Sequence, residues 1–335
     1  MRRRDAVALP LLAALSAARA RTLRVRRGQS LHEVLARAQD GDTVELDPGE
    51  HCGQAALIAH SRLTVRAAEG RAVLLAQGAQ VEGKALLVVR GGRIEIEGLE
   101  FRGARVPAGN GAGIRFERGR LALRRCGFFD NEMGLLSAGR DDAELDIDDC
   151  AFGQAPRHEG MLHHLLYVGR IARLRVRHSH FSGGWRGHLL KSRAAASEIL
   201  CNRLVDGEEG AASYQIDLPN GGLACVRGNV LGKSARAQNQ ALVAFGAEGQ
   251  PHAASQLWFE DNLGVNEGAE PAFFVRHWPE RLPADSGLAL RNNRFAGPVV
   301  DGSWGRPEGG NRLLPATAVL PPLPDPPCAP RCRDA

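Results

Sequence analysis

A short phrase of alternating apolar and polar residues returns along the chain: IEIEGLEFRG (94–103), LALRRCGFFD (121–130), LDIDDCAFGQ (145–154) and LRVRHSHFSG (174–183). It returns again as EILCNRLVDG (198–207), ACVRGNVLGK (224–233), LWFEDNLGVN (257–266) and LALRNNRFAG (288–297). Each copy has two or three alternating apolar positions, then a small or polar residue, then an apolar residue two places later. A period of two puts one set of side chains on each face of a strand. The late apolar positions Phe101, Phe128, Phe152, Phe181, Leu204 and Leu231 are spaced by 23 to 29 residues. Two places before each comes the series Leu99, Cys126, Cys150, Ser179, Asn202, Asn229, followed by Asn262 and Asn293. Asn suits a turn there, because it tolerates left-handed backbone and can hydrogen-bond its neighbour in a stacked row.

Between these phrases lies a second set of short strands: GIRF, GLLS, HLLYVG, HLLKSR, YQIDLP, QALVAF and AFFVRH. Two or three short strands per repeat of about 25 residues, separated by Gly, Asn and Asp, predict the coils of a parallel β-solenoid, an all-β fold. Leucine-rich repeats need a strict Leu-x-x-Leu-x-Leu frame, which is missing, and propeller blades are longer. Near the N-terminus, Ser30 and Glu33 form a capping box that predicts a helix start. Leu31, Val34, Leu35 and Ala38 then make one apolar face. Asp40-Gly41-Asp42 stops the helix and Thr43 to Leu46 alternate as a strand. An amphipathic helix in that place predicts a lid on the exposed core at the end of the solenoid.

The helix, the stretch DGDTVELDPGEH and the short-strand coils together resemble the right-handed parallel β-helix proteins of the pectate-lyase-like superfamily. The resemblance spans roughly residues 25 to 300, and it implies a right-handed parallel β-helix with a short N-terminal capping helix. The reading divides the chain into residues 1–20, a β-helix over 21–300 and an extended proline-rich tail over 301–335. That tail contains CAPRC, where Cys328 and Cys332 are placed to close a small disulfide loop.

Composition changes the picture in three places. The stretch MRRRDAVALPLLAALSAARA has a basic start, an apolar run and the small-x-small ending of an export signal, so the mature protein is expected to be periplasmic or secreted. Its removal takes away four Arg and one Asp, a net +3, and leaves +2 of the formal +5. So mild a charge gives no reason to expect a nucleic-acid partner. No later stretch has the ~18 apolar residues of a membrane span. Seven cysteines fit an oxidising compartment and leave at least one unpaired, and none forms the CxxC spacing of a zinc site.

Stacking the second strand set places His164–Gly169 over His188–Arg193 and over Tyr214–Pro219. The column Leu166, Leu190, Ile216, Leu242 is apolar and expected inside, and Val168, Ser192, Leu218, Ala244 share its parity. Tyr167, Lys191 and Asp217 are then expected outside, one inter-strand step apart, with Arg193 just beyond. His164, His188 and Tyr214 form a column of inward parity, read as a corner before the strand. GGWRG before His188 reads as a flexible loop presenting Trp185 and Arg186 to sugar faces, and Asn220 closes the next turn.

The superfamily's carbohydrate-acting members mostly cleave or epimerise acidic polysaccharides along an exposed sheet. The resemblance therefore implies an acidic, uronate-containing glycan as partner, a lyase as the first reading and a monomer. Arg193 would bind the sugar carboxylate, and Lys191 would be the base, provided neighbouring cations lower its pKa. Tyr167 or His188 would be the acid and Asp217 would hold the cations, with Trp185, Arg186, His164, Tyr214 and Asn220 contacting substrate. Only Asp217 matches the acidic clusters of calcium-dependent members, so no metal or other cofactor is expected. The hydrolase motifs of the fold are missing, since the one upstream acidic pair, Asp141-Asp142, falls in a turn. A hydrolase or epimerase remains an alternative, as does a non-catalytic glycan-binding or structural β-helix. Asp146, Asp148 and Asp149 read as a solvated face, and His252 and His277 as loop residues.

Overall fold

The computed structural model describes residues 20–158 and 160–315. The chain winds through three sheets of 11, 11 and 9 strands, and each complete coil gives one strand to each, with extra strands at the two ends. Arg120–Arg124, Gly127–Phe129 and Met133–Ser137 are one such coil. Neighbouring coils pair in parallel. The result is a right-handed parallel β-helix, the hand that parallel crossovers adopt.

In-register stacking sets like residues on like, and this builds the core. Phe101, Phe128, Phe152 and Phe181 stack at ring-centroid distances of 5.1, 4.6 and 4.7 Å. Each stacked aromatic pair adds about 0.5–1.5 kcal/mol beyond its buried area. The Asn series forms a hydrogen-bonded ladder at the next column. The N–H of Asn202 donates to Asn229 Oδ1 (2.8 Å), and the pattern repeats from Asn229 to Asn262, Asn262 to Asn293 and Asn293 to Asn311. The left-handed backbone lies one residue earlier than the sequence suggests, at Cys201, Asp261 and Asn292, with φ of 57°, 56° and 54°. The Asn residues supply the row and their predecessors make the turn. Asn311 carries the ladder past residue 300, and Arg312–Leu314 pairs with Arg294–Ala296 in the same sheet.

The helix runs from Leu31 to Arg37, with the Ser30 hydroxyl accepting the Glu33 N–H (3.2 Å). Leu31, Val34 and Leu35 are buried in the core, so the helix caps the N-terminal coil as expected. Ala38 falls outside it as an extended C-cap. Cys201 and Cys225 are each disulfide-bonded, while Cys52, Cys126 and Cys150 are free. Residues 1–19 of the expected export signal, and the expected Cys328–Cys332 loop, lie outside the described residues.

One register differs from the sequence alignment. Ile216 pairs with Val243 rather than Leu242, and Asp217 pairs with Ala244, which moves Ala244 to the outward column. The run Ala241–Phe245 is apolar throughout, so no polar residue marks its outer face and alternation alone cannot set its register.

Candidate functional site

The third sheet places Leu166–Val168, Leu190–Ser192 and Ile216–Leu218 side by side. Tyr167 pairs with Lys191 and Lys191 with Asp217, as the alignment expects. The Lys191 ammonium lies 3.0 Å from Asp217 Oδ2 and also donates to Glu248 Oε1. Its side chain is only 8 % exposed. The other Glu248 oxygen accepts from Arg193 Nη2, so one carboxylate bridges the two cations. Arg193 also donates through Nε to the Tyr167 hydroxyl (3.0 Å) and through Nη1 to Asn220 Oδ1 (2.8 Å).

His188 joins this network, contrary to its expected inward parity. Leu189 and Leu190 are both fully buried in the core, so alternation restarts between them. His188 is thereby put on the side of Lys191, with Nε2 3.3 Å from Asp217 Oδ2. Its Nδ1 accepts the Tyr214 N–H (3.3 Å), so the neutral ring carries its proton on Nε2. The corner leaves no room for another side chain: a Cβ on Gly187 would meet the His163 carbonyl oxygen at 2.2 Å. The rings of Tyr167, His164, His188 and Tyr214 follow one another at centroid distances of 5.3, 4.8 and 4.9 Å. Tyr167 and Tyr214 are the only tyrosines in the chain.

Charge states follow from these contacts. Burial pulls the Lys191 pKa down, but Asp217 and Glu248 outweigh it and the net shift is upward. The condition for Lys191 as a free base is thus unmet in the resting site, because carboxylates rather than cations surround its ammonium. Burial likewise raises Asp217, but the hydrogen bond from His188 and the charges of His188 and Lys191 pull its pKa below the ordinary value. His164 is held well below its ordinary value by burial first, then by His188 and Lys191, so it is neutral. Burial and the Asp217 charge push Tyr214 up.

The sequence missed Glu248. It sits in the turn after Ala241–Phe245, two coils from Lys191, with its side chain 42 % exposed. Its loop is pinned where Asn220 Nδ2 donates to Gly249 O (2.6 Å) and Arg170 Nη1 donates to Gln250 O (2.8 Å). His252, read as a plain loop residue, belongs to that anchor through Nε2 at 3.0 Å from Arg193 O. Strand alignment does not place Glu248 beside Arg193, because it lies three residues beyond Phe245, the last residue paired in that strand. On the other side of the site, a cleft of about 450 Å³ reaches His188 and is lined by Leu162, Arg186, Ser213, Gln238 and Asn239. Arg186 therefore faces open space. Trp185 does not: it packs on the core, Arg157 covers its ring at 5.3 Å and its Nε1 is buried. The GGWRG segment is bridged to His163 and Ala211 instead of projecting as a loose loop.

Among the described residues no group of three or more acidic, His or Cys side chains is arranged to hold a metal. The space between Asp217 and Glu248 is filled by the Lys191 ammonium.

No family model matches this chain, and no curated protein matches it in sequence. Among solved structures, the crystal structure of pectate lyase Pel9A is similar, with a TM-score of 0.54 at 13 % identity. The likeness covers 84 % of this chain and 78 % of that one. The fold is thus a pectate-lyase-like parallel β-helix. At that identity the likeness speaks to fold alone.

Proposed function

We propose that the protein is an exported polysaccharide lyase acting on an acidic, uronate-containing glycan. The observation that carries this reading is the seat of Glu248, an exposed carboxylate held with one oxygen on Lys191 and one on Arg193. A sugar carboxylate presented to that pair meets the same two cations, and Arg193 matches it by its planar fork. Groups of strongly interacting ionisable residues beside a cleft are found at functional sites more often than on plain strands.

In this reading the substrate carboxylate takes Arg193 and turns Glu248 out. Lys191 loses one of the two acids that keep it charged, releases its own proton to solvent and, as the neutral amine, accepts the proton beside the carboxylate. Arg193 neutralises the negative charge that develops there. The electron pair left by the proton forms the carbon–carbon double bond as the glycosidic C–O bond breaks. The leaving oxygen takes the proton of the Tyr167 hydroxyl, whose oxygen already accepts from Arg193. Asp217 keeps Lys191 and His188 in place, and the amides of the adjoining cleft suit sugar hydroxyls. Export is supported by the N-terminal segment and is in keeping with the disulfide-bonded state of Cys201 and of Cys225.

The test is incubation of the purified protein with a panel of polyuronates while following the absorbance of the unsaturated product. Absorbance growth that is lost in Lys191→Ala supports the lyase. Binding without any product across the panel favours a glycan-binding β-helix, for which the prior neutralisation of both cations by the protein's own acids is the favouring observation.

A further inference from the structure

The corner where each coil passes from the third sheet to the first carries an arginine in five consecutive turns: Arg90, Arg118, Arg140, Arg170 and Arg193. Stacked coils are about 4.8 Å apart, so this row runs roughly 19 Å along the axis and ends at the candidate site. Beside it, Arg62, Arg93 and Arg120 lie directly opposite one another in the first sheet. Like charges in that position repel. Four residues along the same strands, the column Glu45, Arg66, Glu97, Arg124, Asp148, Arg177 alternates in sign at every step.

Carboxylate partners are few along the corner. Arg90 pairs with Glu82, Arg120 with Glu144 and Arg193 with Glu248. Among the described residues, Arg62, Arg93, Arg118, Arg140 and Arg170 have no acid within ion-pair distance. The surface there is recessed, with a hollow of about 510 Å³ lined by His60, Arg90, Arg118 and Asp142, where Gly91, Gly92 and Gly119 form the floor. A side chain on Gly92 has no space, since its Cβ would lie 2.1 Å from the His60 carbonyl oxygen. Asp142 is the one acid facing this hollow.

We propose that this corner is an anion-binding track for a polyanionic glycan, which it leads along the helix axis to Arg193. The class of ligand follows from spacing. One cation per coil suits a polymer with one carboxylate on each sugar, and among the described residues no Phe, Tyr or Trp lines the hollow for a nucleic-acid base to stack on. This inference rests on the reading of the site as glycan-active, but its test reads binding without turnover.

The probe is polygalacturonate, titrated at low and at moderate salt against wild type, Arg93→Gln/Arg118→Gln/Arg140→Gln and the corresponding Glu variant. Both variants change exposed residues, and their melting curves check folding. The Gln variant is expected to lose at least tenfold in affinity for the polymer and the Glu variant more, with a weaker salt dependence than wild type. Affinity for the galacturonate disaccharide is expected to be unchanged. Equal polymer affinity in all three proteins overturns the track, as does a single-stranded oligonucleotide that binds wild type as tightly as the polymer. Wild type that binds the polymer through these arginines without cleaving it leaves the track standing and removes the lyase reading instead.

Discussion

Lys191 Nζ lies 3.0 Å from Asp217 Oδ2 in adjacent coils, with both side chains almost wholly buried on the outward face of the third sheet. A buried pair of this kind is costly to desolvate and costs about 3–5 kcal/mol to break from one side, because the partner is left charged and unpaired. Asp217→Ala is expected to destabilise the fold by that order in urea unfolding. Asp217→Asn, which keeps the shape and removes the charge, should cost less and should lower the pKa of Lys191.

Glu248→Gln separates stability from chemistry. Glu248 is exposed enough that its loss should change the unfolding midpoint little. Lys191 is held above its ordinary 10.5 in the resting site, so the neutral amine forms only at alkaline pH. Removing one of its two acids lowers that pKa. The alkaline-rising limb of the rate profile should move to lower pH in Glu248→Gln, and an unmoved limb contradicts Lys191 as the proton acceptor.

A second carboxylate gives a pH dependence of stability. Asp206 accepts the N–H groups of Gly184 (2.7 Å) and Ala212 (2.6 Å), tying the GGWRG segment to the wall of the cleft. Burial raises its pKa from 3.8 to about 6. A raised folded-state pKa means that the unfolded chain ionises first. Its contribution is therefore present in full below pH 3.8 and lost as pH rises through about 6. The difference in unfolding free energy between wild type and Asp206→Asn should change by about 2–3 kcal/mol between pH 4 and pH 7.5. A constant difference would contradict the assignment.

The Asn ladder can be tested one rung at a time. Asn229 accepts from the N–H of Asn202 and donates to Ile199 O (2.9 Å), all out of contact with water. Asn229→Ala leaves a buried N–H and a buried carbonyl unpaired, at a cost of about 1–3 kcal/mol for each group. Asn229→Ser should recover part of it, because Ser179 holds a rung of the same column through its hydroxyl. Chemical denaturation of the two variants checks both.

Much of the fold was legible in the chain because stacking turns a sequence period into a column. Phe101 to Phe181 and Asn202 to Asn293 were visible as series before any strand was placed, and the Tyr167–Lys191–Asp217 column followed from the same period. What stayed hidden lies where alternation carries no information. Leu189-Leu190 is an apolar doublet, so the side of His188 depends on a corner that the alphabet of apolar and polar residues does not mark. Ala241–Phe245 has no polar residue to fix its register. Glu248 sits in a turn and reaches Lys191 across two coils, beyond any strand-by-strand alignment. Trp185 looked like a sugar platform by type, yet its ring is covered by Arg157 and core.

The seat shared by Glu248 and a sugar carboxylate is tested most directly by a crystal structure of Lys191→Ala soaked with a uronate oligosaccharide. The expected result is a sugar carboxylate on the Arg193 guanidinium, with Glu248 turned away and the chain running toward Arg170. A structure with Glu248 still on Arg193 and the sugar bound elsewhere would contradict it.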